Sequence, residues 1–169
     1  MDFETGELHK EGLVIPFGKG IELACNRTEG DSHFKNERLR LDFRVSAIQR
    51  KISVDWPEFH GGRGIQADIT LTCPLGYESM TVSIPIGSKR FFYNRKIACL
   101  PAEGTIQYGD HTEMMNPQTC HGLLDRERGV WEYQSFWNWA SSSGFLPDGR
   151  TIGMNLGCGF GDLRKAGLT

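Results

Sequence analysis

The sequence contains no long apolar run and no secretion signal. No stretch approaches the roughly 18–20 consecutive apolar residues that a membrane-spanning helix needs, and the N-terminal stretch MDFETGELHKEG lacks an apolar signal core. The net charge of -2 gives no electrostatic basis for nucleic-acid binding. We therefore predict a cytoplasmic protein without a membrane span and without a nucleic-acid partner.

The signatures of metal, disulfide and nucleophile chemistry are also missing. No Cys-x-x-Cys pair occurs, and no histidine lies at zinc-finger spacing from a cysteine. The sequence has no Gly-x-Ser-x-Gly motif, no His-Glu-x-x-His motif and no dinucleotide-binding fingerprint. We predict no metal and no cofactor, and we expect free thiols in a reducing compartment. The cysteines are Cys25, Cys73, Cys99, Cys120 and Cys158.

Strict alternation of apolar and polar residues is what the sequence does contain. The alternating apolar residues of the first run are Leu39, Leu41, Phe43 and Val45, and residues 52–56, 65–71 and 80–86 repeat the pattern. A period of two is typical of half-buried β-strands. We predict one all-β domain over residues 1–169, built as an antiparallel sheet that forms an incomplete barrel or a sandwich. At most one short helix is expected, from about Asn116 to Leu124, with Asn116 as its cap.

The segment LPDGR predicts a hairpin turn and fixes the register of the last two strands. Pro147 presets φ for the turn, and Gly149 supplies a positive φ. We expect the rings of Trp137 and Trp139 to lie over glycines of the partner strand. The predicted pairs are Leu146 with Arg150, Ser141 with Asn155, Trp139 with Gly157 and Trp137 with Gly159.

The segment LLDRERGVWEYQSFW combines a carboxylate with indole rings. A carboxylate desolvated beside apolar rings is poised to protonate a double bond or a leaving oxygen. Asp125 is therefore a candidate catalytic residue. The alternative is an ion pair between Asp125 and Arg128 that fastens a loop. Arg128, Trp131 and Trp137 are candidate ligand-binding residues in the same segment.

A second group of candidates lies on the aromatic and basic strand RFFYNRK. Asn94, Arg95 and Lys96 either contact a ligand or form the solvated face of that strand. Glu103, in an expected turn, is either a general acid or an exposed loop charge. Asp162 either faces a pocket mouth or ends a strand. The remaining candidate ligand-binding residues are Trp139 and Asn155.

Three long motifs carry a resemblance to a known family. They are FFYNRKIACLPAEG (Phe91–Gly104), LLDRERGVWEYQSFWNWASSSG (Leu123–Gly144) and IGMNLGCGFGD (Ile152–Asp162), supported by TCPLGYESMTVSIPI (Thr72–Ile86). Together they resemble the family called domain of unknown function 2804, over about residues 65–162. The family has no assigned reaction. Its members look like distant relatives of lipocalin-like proteins, which include hydroxyneurosporene synthase (a carotenoid hydratase) and tocopherol cyclase, so the resemblance implies a lipocalin-like fold.

The sequence departs from the family pattern in two places. Arg126 and Glu127 stand where family members usually have Trp and Gly. Family members also continue after the final motif and are about twice as long, whereas this chain ends with DLRKAGLT. We therefore expect a fragment of a two-half protein, either completed by a missing C-terminal half or prone to self-association.

The aromatic and polar residues favour three functions, with or without catalysis. The first is binding of an apolar or amphipathic small molecule, such as a lipid or isoprenoid, in an aromatic pocket. The second is binding or conversion of a carbohydrate, because indole faces stack on sugar rings. The third is a structural half-domain without activity of its own. Indole rings that line a closed cavity favour the first function, rings along an open groove favour the second, and rings packed on glycines inside a core favour the third.

Overall fold

The computed structural model of the protein describes Gly6, residues 21–22 and residues 30–159. The described residues form almost only antiparallel strands, which confirms the predicted all-β class. The elements are β1 (Ile21–Glu22), β2 (Ser32–Lys35), β3 (Arg40–Val45), β4 (Gln49–Trp56), α1 (Phe59–Gly62), β5 (Ile65–Thr72), β6 (Met80–Ile86), β7 (Arg90–Tyr108), β8 (His111–Met115), β9 (His121–Val130), β10 (Asn138–Phe145) and β11 (Thr151–Cys158). No helix among the described residues has the length and apolar character needed to cross a membrane.

The chain divides into two compact units that both use strand β7. The first unit contains β1 to β5, β8 and the part of β7 that starts at Ala102. The second unit contains β6, β9, β10, β11 and the part of β7 that ends at Pro101. Strands β1 to β9 belong to one hydrogen-bonded sheet, and β10 and β11 form a separate two-stranded sheet.

The first unit runs in the order β1-β2-β3-β4-β5-β7-β8, with every neighbouring pair antiparallel. The pairing of β3, β4 and β5 confirms three of the strands that alternation predicted. The buried apolar side chains of this unit are Phe34, Leu39, Ala67, Leu71 and Ala102.

Strand β3 buries a charged residue where alternation predicted an apolar face. Asp42 is 6% exposed, whereas Phe43 is 42% exposed. The Asp42 carboxylate accepts hydrogen bonds from His33 Nδ1 at 2.8 Å and from Arg40 Nε at 2.8 Å, and Arg40 Nη2 lies 2.7 Å from Oδ2, so its charge is compensated. Alternation places Phe43 and Asp42 on opposite faces of the strand but does not decide which face packs, and Asp42 is the more buried of the two.

The predicted helix near Asn116 is wrong. Asn116 Oδ1 accepts from the Gln118 N–H at 2.9 Å, and its backbone oxygen accepts from the N–H groups of Thr119 and Cys120. The side chain of Asn116 therefore closes a turn rather than capping a helix, and β9 begins at His121. The short helix α1 lies elsewhere, at the glycine-rich segment HGGRG (residues 60–64), and it includes non-helical backbone at His60 and Gly61.

In the second unit, strand β7 is the central strand of three. It pairs antiparallel with β6 on one side and with β9 on the other. The ladder with β9 shifts register between Ile97 and Leu100. Cys99 lies in this bulge with φ of 57°, in the left-handed region that few non-glycine residues adopt.

The hairpin of β10 and β11 confirms the predicted turn and register. Gly149 has φ of 83°, and the Leu146 N–H donates to the Arg150 oxygen at 2.8 Å. The observed pairs include Ser141 with Asn155 and Trp139 with Gly157. The regular ladder ends at Asn138 and Cys158, so Trp137 precedes β10 and its predicted pairing with Gly159 lies outside the ladder.

Candidate functional site

A cavity of about 330 Å³ lies within the second unit and is lined by β6, β7, β9 and the β10–β11 hairpin. Its apolar walls come from Met80, Val82, Ile84, Phe92, Trp137 and Trp139. Its polar side chains include Asn94, Lys96, Asp125, Glu127 and Asn155. The cavity therefore combines an aliphatic and aromatic wall with a small set of polar groups, as small-molecule sites commonly do.

The floor of the cavity is a three-by-three grid of cross-strand neighbours, which follows from strand alternation. Alternate residues of β7 before its bulge face the cavity, and Phe92, Asn94 and Lys96 form the central column. Directly paired residues of β6 and β9 complete the rows. The three rows are Ile84–Phe92–Gly129, Val82–Asn94–Glu127 and Met80–Lys96–Asp125.

The polarity of this floor changes in two directions. The β6 column is apolar throughout, whereas the β9 column carries two carboxylates. Along β7, polarity rises from Phe92 to Lys96, which are separated by about 13 Å at the usual strand rise. One corner of the floor is therefore apolar and the opposite corner is charged.

Four polar side chains form a connected cluster at the charged corner. Lys96 Nζ donates to Asp125 Oδ2 at 2.7 Å, and Asn94 Nδ2 donates to Asp125 Oδ1 at 2.6 Å and to Glu127 Oε1 at 3.2 Å. The Lys96 side chain is 11% exposed and that of Asp125 is 27% exposed. Asn94 is almost completely buried, at 1% exposed.

The amide of Asn94 has a chemically determined orientation. Its nitrogen faces two carboxylate oxygens, and an amide oxygen there would meet acceptors only. Asn94 Oδ1 is then a buried acceptor, and it has no hydrogen-bond partner among the described residues. Such an atom carries a free-energy cost of about 1–3 kcal/mol until a donor reaches it.

The indole of Trp139 is held by polar contacts rather than over a glycine. Lys96 Nζ lies 3.8 Å from the ring centroid, and the indole N–H donates to Asn155 Oδ1 at 2.7 Å. A Cβ built on Gly157 would meet nothing within 4 Å. The expectation that the Trp139 ring covers Gly157 is therefore wrong, because the cationic side chain of Lys96 and the amide of Asn155 direct the ring elsewhere.

The predicted ion pair between Asp125 and Arg128 is also wrong. Residues three apart on a strand lie on opposite faces, so Arg128 points away from the face that carries Asp125. The charged partner of Asp125 is Lys96, directly across the ladder. Both oxygens of Asp125 accept hydrogen bonds, and this arrangement differs from that of an acid ready to give a proton.

Arg95, Trp131 and Glu103 do not line the cavity. Arg95 lies on the face of β7 opposite to Asn94 and Lys96. Trp131 packs edge-on against Phe92, with ring centroids 6.1 Å apart. Glu103 is exposed within β7 of the first unit, paired with Thr70 rather than in a turn. Asp162 lies outside the described residues.

Sequence reasoning missed Glu127 and the apolar column of β6. Glu127 follows Asp125 by two residues, so once the segment is recognised as a strand both carboxylates share one face. Alternation predicts the residues of β6 to form one face of a strand, but it does not identify them as the wall of a site. Their role depends on pairing with β7, which the sequence does not disclose.

A second cavity, of about 880 Å³, lies in the same unit and shares Met80, Lys96 and Asn155 with the first. Cys99 also lines it. The bulged backbone of Cys99 is fastened on both sides, because its oxygen accepts from Tyr77 Oη at 2.7 Å and its N–H donates to Ser143 Oγ at 3.2 Å. Lys96 thus lies at the boundary of two adjoining spaces.

A comparison with protein families places this site in context. Residues 1–167 match the family described as Domain of unknown function (DUF2804). The chain belongs to this family. The DUF2804 match includes the residues before Ile65, where the sequence offered no recognisable motif. No curated protein and no solved structure matches the chain.

Among the residues that the structure describes, no group of three His, Cys, Asp or Glu side chains is arranged to hold a metal ion.

Proposed function

We propose that this protein binds a small amphipathic molecule in the first cavity. The observation that carries the proposal is the polarity of the cavity floor, which is apolar along β6 and charged at the Lys96–Asp125 corner. A ligand with a hydrocarbon body and a polar end matches this distribution. The cavity volume of about 330 Å³ falls within the usual range for small-molecule sites.

Two half-exposed indoles support the proposal. Trp137 is 51% exposed and Trp139 is 44% exposed, and both line the cavity. Covering apolar surface stabilises a complex by about 25 cal/mol per Å². A lipid-like or isoprenoid-like body would cover these rings and the β6 wall together.

A carbohydrate is a weaker match to the same cavity. Sugar hydroxyls need polar partners around the whole ring, whereas Asn94, Asp125 and Glu127 form one connected cluster beside an apolar column.

The free thiols of Cys73, Cys99, Cys120 and Cys158 support a reducing compartment such as the cytoplasm as the place of action.

The test is calorimetric titration of the protein with medium-chain amphiphiles and with a short oligosaccharide. We expect saturable binding of an amphiphile and none of the oligosaccharide. The variant Val82→Arg places a charge in the apolar column and should abolish binding. The matched control is Ser83→Arg, one residue along β6 on the other face, and it should bind as the wild type does.

Melting temperatures of both unliganded variants separate loss of the site from loss of the fold. The proposal fails if no amphiphile binds saturably, or if a folded Val82→Arg variant binds as tightly as the wild type. Preferential binding of the oligosaccharide would favour the carbohydrate function instead.

A further inference from the structure

The ionisable side chains of the first cavity leave an excess of negative charge. Asp125 and Glu127 contribute two carboxylates, and Lys96 contributes the one cationic side chain among the lining residues. A negatively charged ligand group would therefore experience more repulsion than attraction in a space partly shielded from water.

The single cation is also already engaged. Its ammonium donates to Asp125 at 2.7 Å and lies 3.8 Å from the centre of the Trp139 ring. An anionic head group beside this ammonium would therefore also lie beside the Asp125 carboxylate. Lys96 consequently balances a neighbouring charge rather than offering an anion site.

The unused hydrogen-bonding capacity of the cluster is mainly that of acceptors. Asn94 lines the cavity, but its Oδ1, which has no partner among the described residues, is shielded from solvent, so the accessible acceptors are those of Asp125 and Glu127. The carboxylates of Asp125 and Glu127 each have more lone pairs than the contacts described for them. A group that enters this corner therefore gains most if it donates hydrogen bonds.

From these observations we infer that the site selects amphiphiles whose polar end donates hydrogen bonds and bears no negative charge. Alcohols and protonated amines share this chemistry, whereas fatty acids and phosphate esters lack it. This inference rests on the proposed function, because it names the ligand class for the same cavity. The apolar body lies against Val82 and Ile84, and the donor end lies toward Asp125.

The experiment compares three probes with one hydrocarbon chain, namely 1-octanol, octylamine and octanoate, by calorimetric titration near neutral pH. Octanol and octylamine should each bind at least about tenfold more tightly than octanoate does. Equal or tighter binding of octanoate overturns the inference while leaving the proposed function intact. Absence of binding by all three probes overturns both.

A charge variant tests the cause of the selectivity. Glu127→Gln removes the excess negative charge but keeps the side-chain shape, and Glu127 lies on an exposed part of β9. We expect octanoate to bind this variant about tenfold more tightly than it binds the wild type. The control Glu37→Gln removes an exposed carboxylate of the first unit and should change no affinity. Unchanged discrimination in Glu127→Gln overturns the electrostatic explanation.

Discussion

At the scale of single residues, the cavity depends on how a few charged groups neutralise one another. The ion pair of Lys96 and Asp125 is partly buried, and Asn94 joins it from the same face of β7. Removing one member of such a pair leaves the other without its counter-charge, which costs more than the pair itself contributes. The same reasoning applies to the separate cluster around Asp42.

Asp125→Asn should destabilise the second unit by about 1–2 kcal/mol, because Lys96 keeps its charge and loses its carboxylate partner. The measurement is urea unfolding of Asp125→Asn, Lys96→Met and the double variant. The two single effects should not add, since both remove one interaction. Strictly additive effects would contradict the pairing that the structure shows.

Asp42 gives the first unit a pH-dependent stability. The hydrogen bond from His33 lowers the pKa of Asp42 most, burial raises it, and Arg40 lowers it further, so the pKa lies below its ordinary value of 3.8. Because the carboxyl pKa is lowered in the folded state, the stabilisation is complete above the ordinary value of 3.8 and is lost as the pH falls through the folded-state pKa. Asp42 therefore stabilises the fold at neutral pH and loses this effect in acid.

The corresponding prediction is that Asp42→Asn is less stable than the wild type near neutral pH, by about 1–2 kcal/mol. The difference should shrink as the pH falls below 3.8, where the wild-type carboxyl also takes up a proton. Urea unfolding at a series of pH values measures it. A difference that stays constant into acid would show that the charge of Asp42 has no part in the effect.

At the scale of elements, local turn chemistry was predictable and long-range pairing was not. Pro147 and Gly149 determined the register of β10 and β11 correctly, because a short hairpin depends on its own turn. The contact of Lys96 with Asp125 spans 29 positions of the sequence and depends on the pairing of β7 with β9. No local pattern reports that pairing, so Arg128 was the wrong partner for Asp125.

Substitution by alanine should affect the stability of the fold differently at two glycines of the second unit. A Cβ on Gly129 would lie against the backbone oxygen of Phe91, closer than real Cβ atoms come to any neighbour. Gly129→Ala must therefore push β9 away from β7, at a cost of about 1–3 kcal/mol. A Cβ on Gly157 meets open space, so Gly157→Ala should be neutral or slightly stabilising.

Thermal unfolding of the two variants checks this contrast. A neutral Gly157→Ala would also agree with the open space beside Gly157, where the sequence alone placed the ring of Trp139. Equal melting temperatures for Gly129→Ala and Gly157→Ala would show that the spacing of β7 and β9 differs from the one described.

At the scale of the whole molecule, the all-β class followed from alternation, whereas the composition of the cavity did not. Alternation identified the strand over 80–86, and the residue types of the segments RFFYNRK and LLDRERGVWEYQSFW drew attention to Asn94, Lys96 and Asp125. Neither showed that these residues share one floor, because that follows from the order β6-β7-β9 in the second unit. The function proposed here therefore depends on topology more than on any single motif.

The most direct test of the central claim is an NMR titration of the tryptophan indole N–H signals with 1-octanol. The signals of Trp137 and Trp139 should shift saturably, since both rings line the cavity. The signal of Trp56, on β4 of the first unit, should remain unchanged and serves as the internal control. Unchanged signals for Trp137 and Trp139, or an equal shift of Trp56, would contradict binding in this cavity.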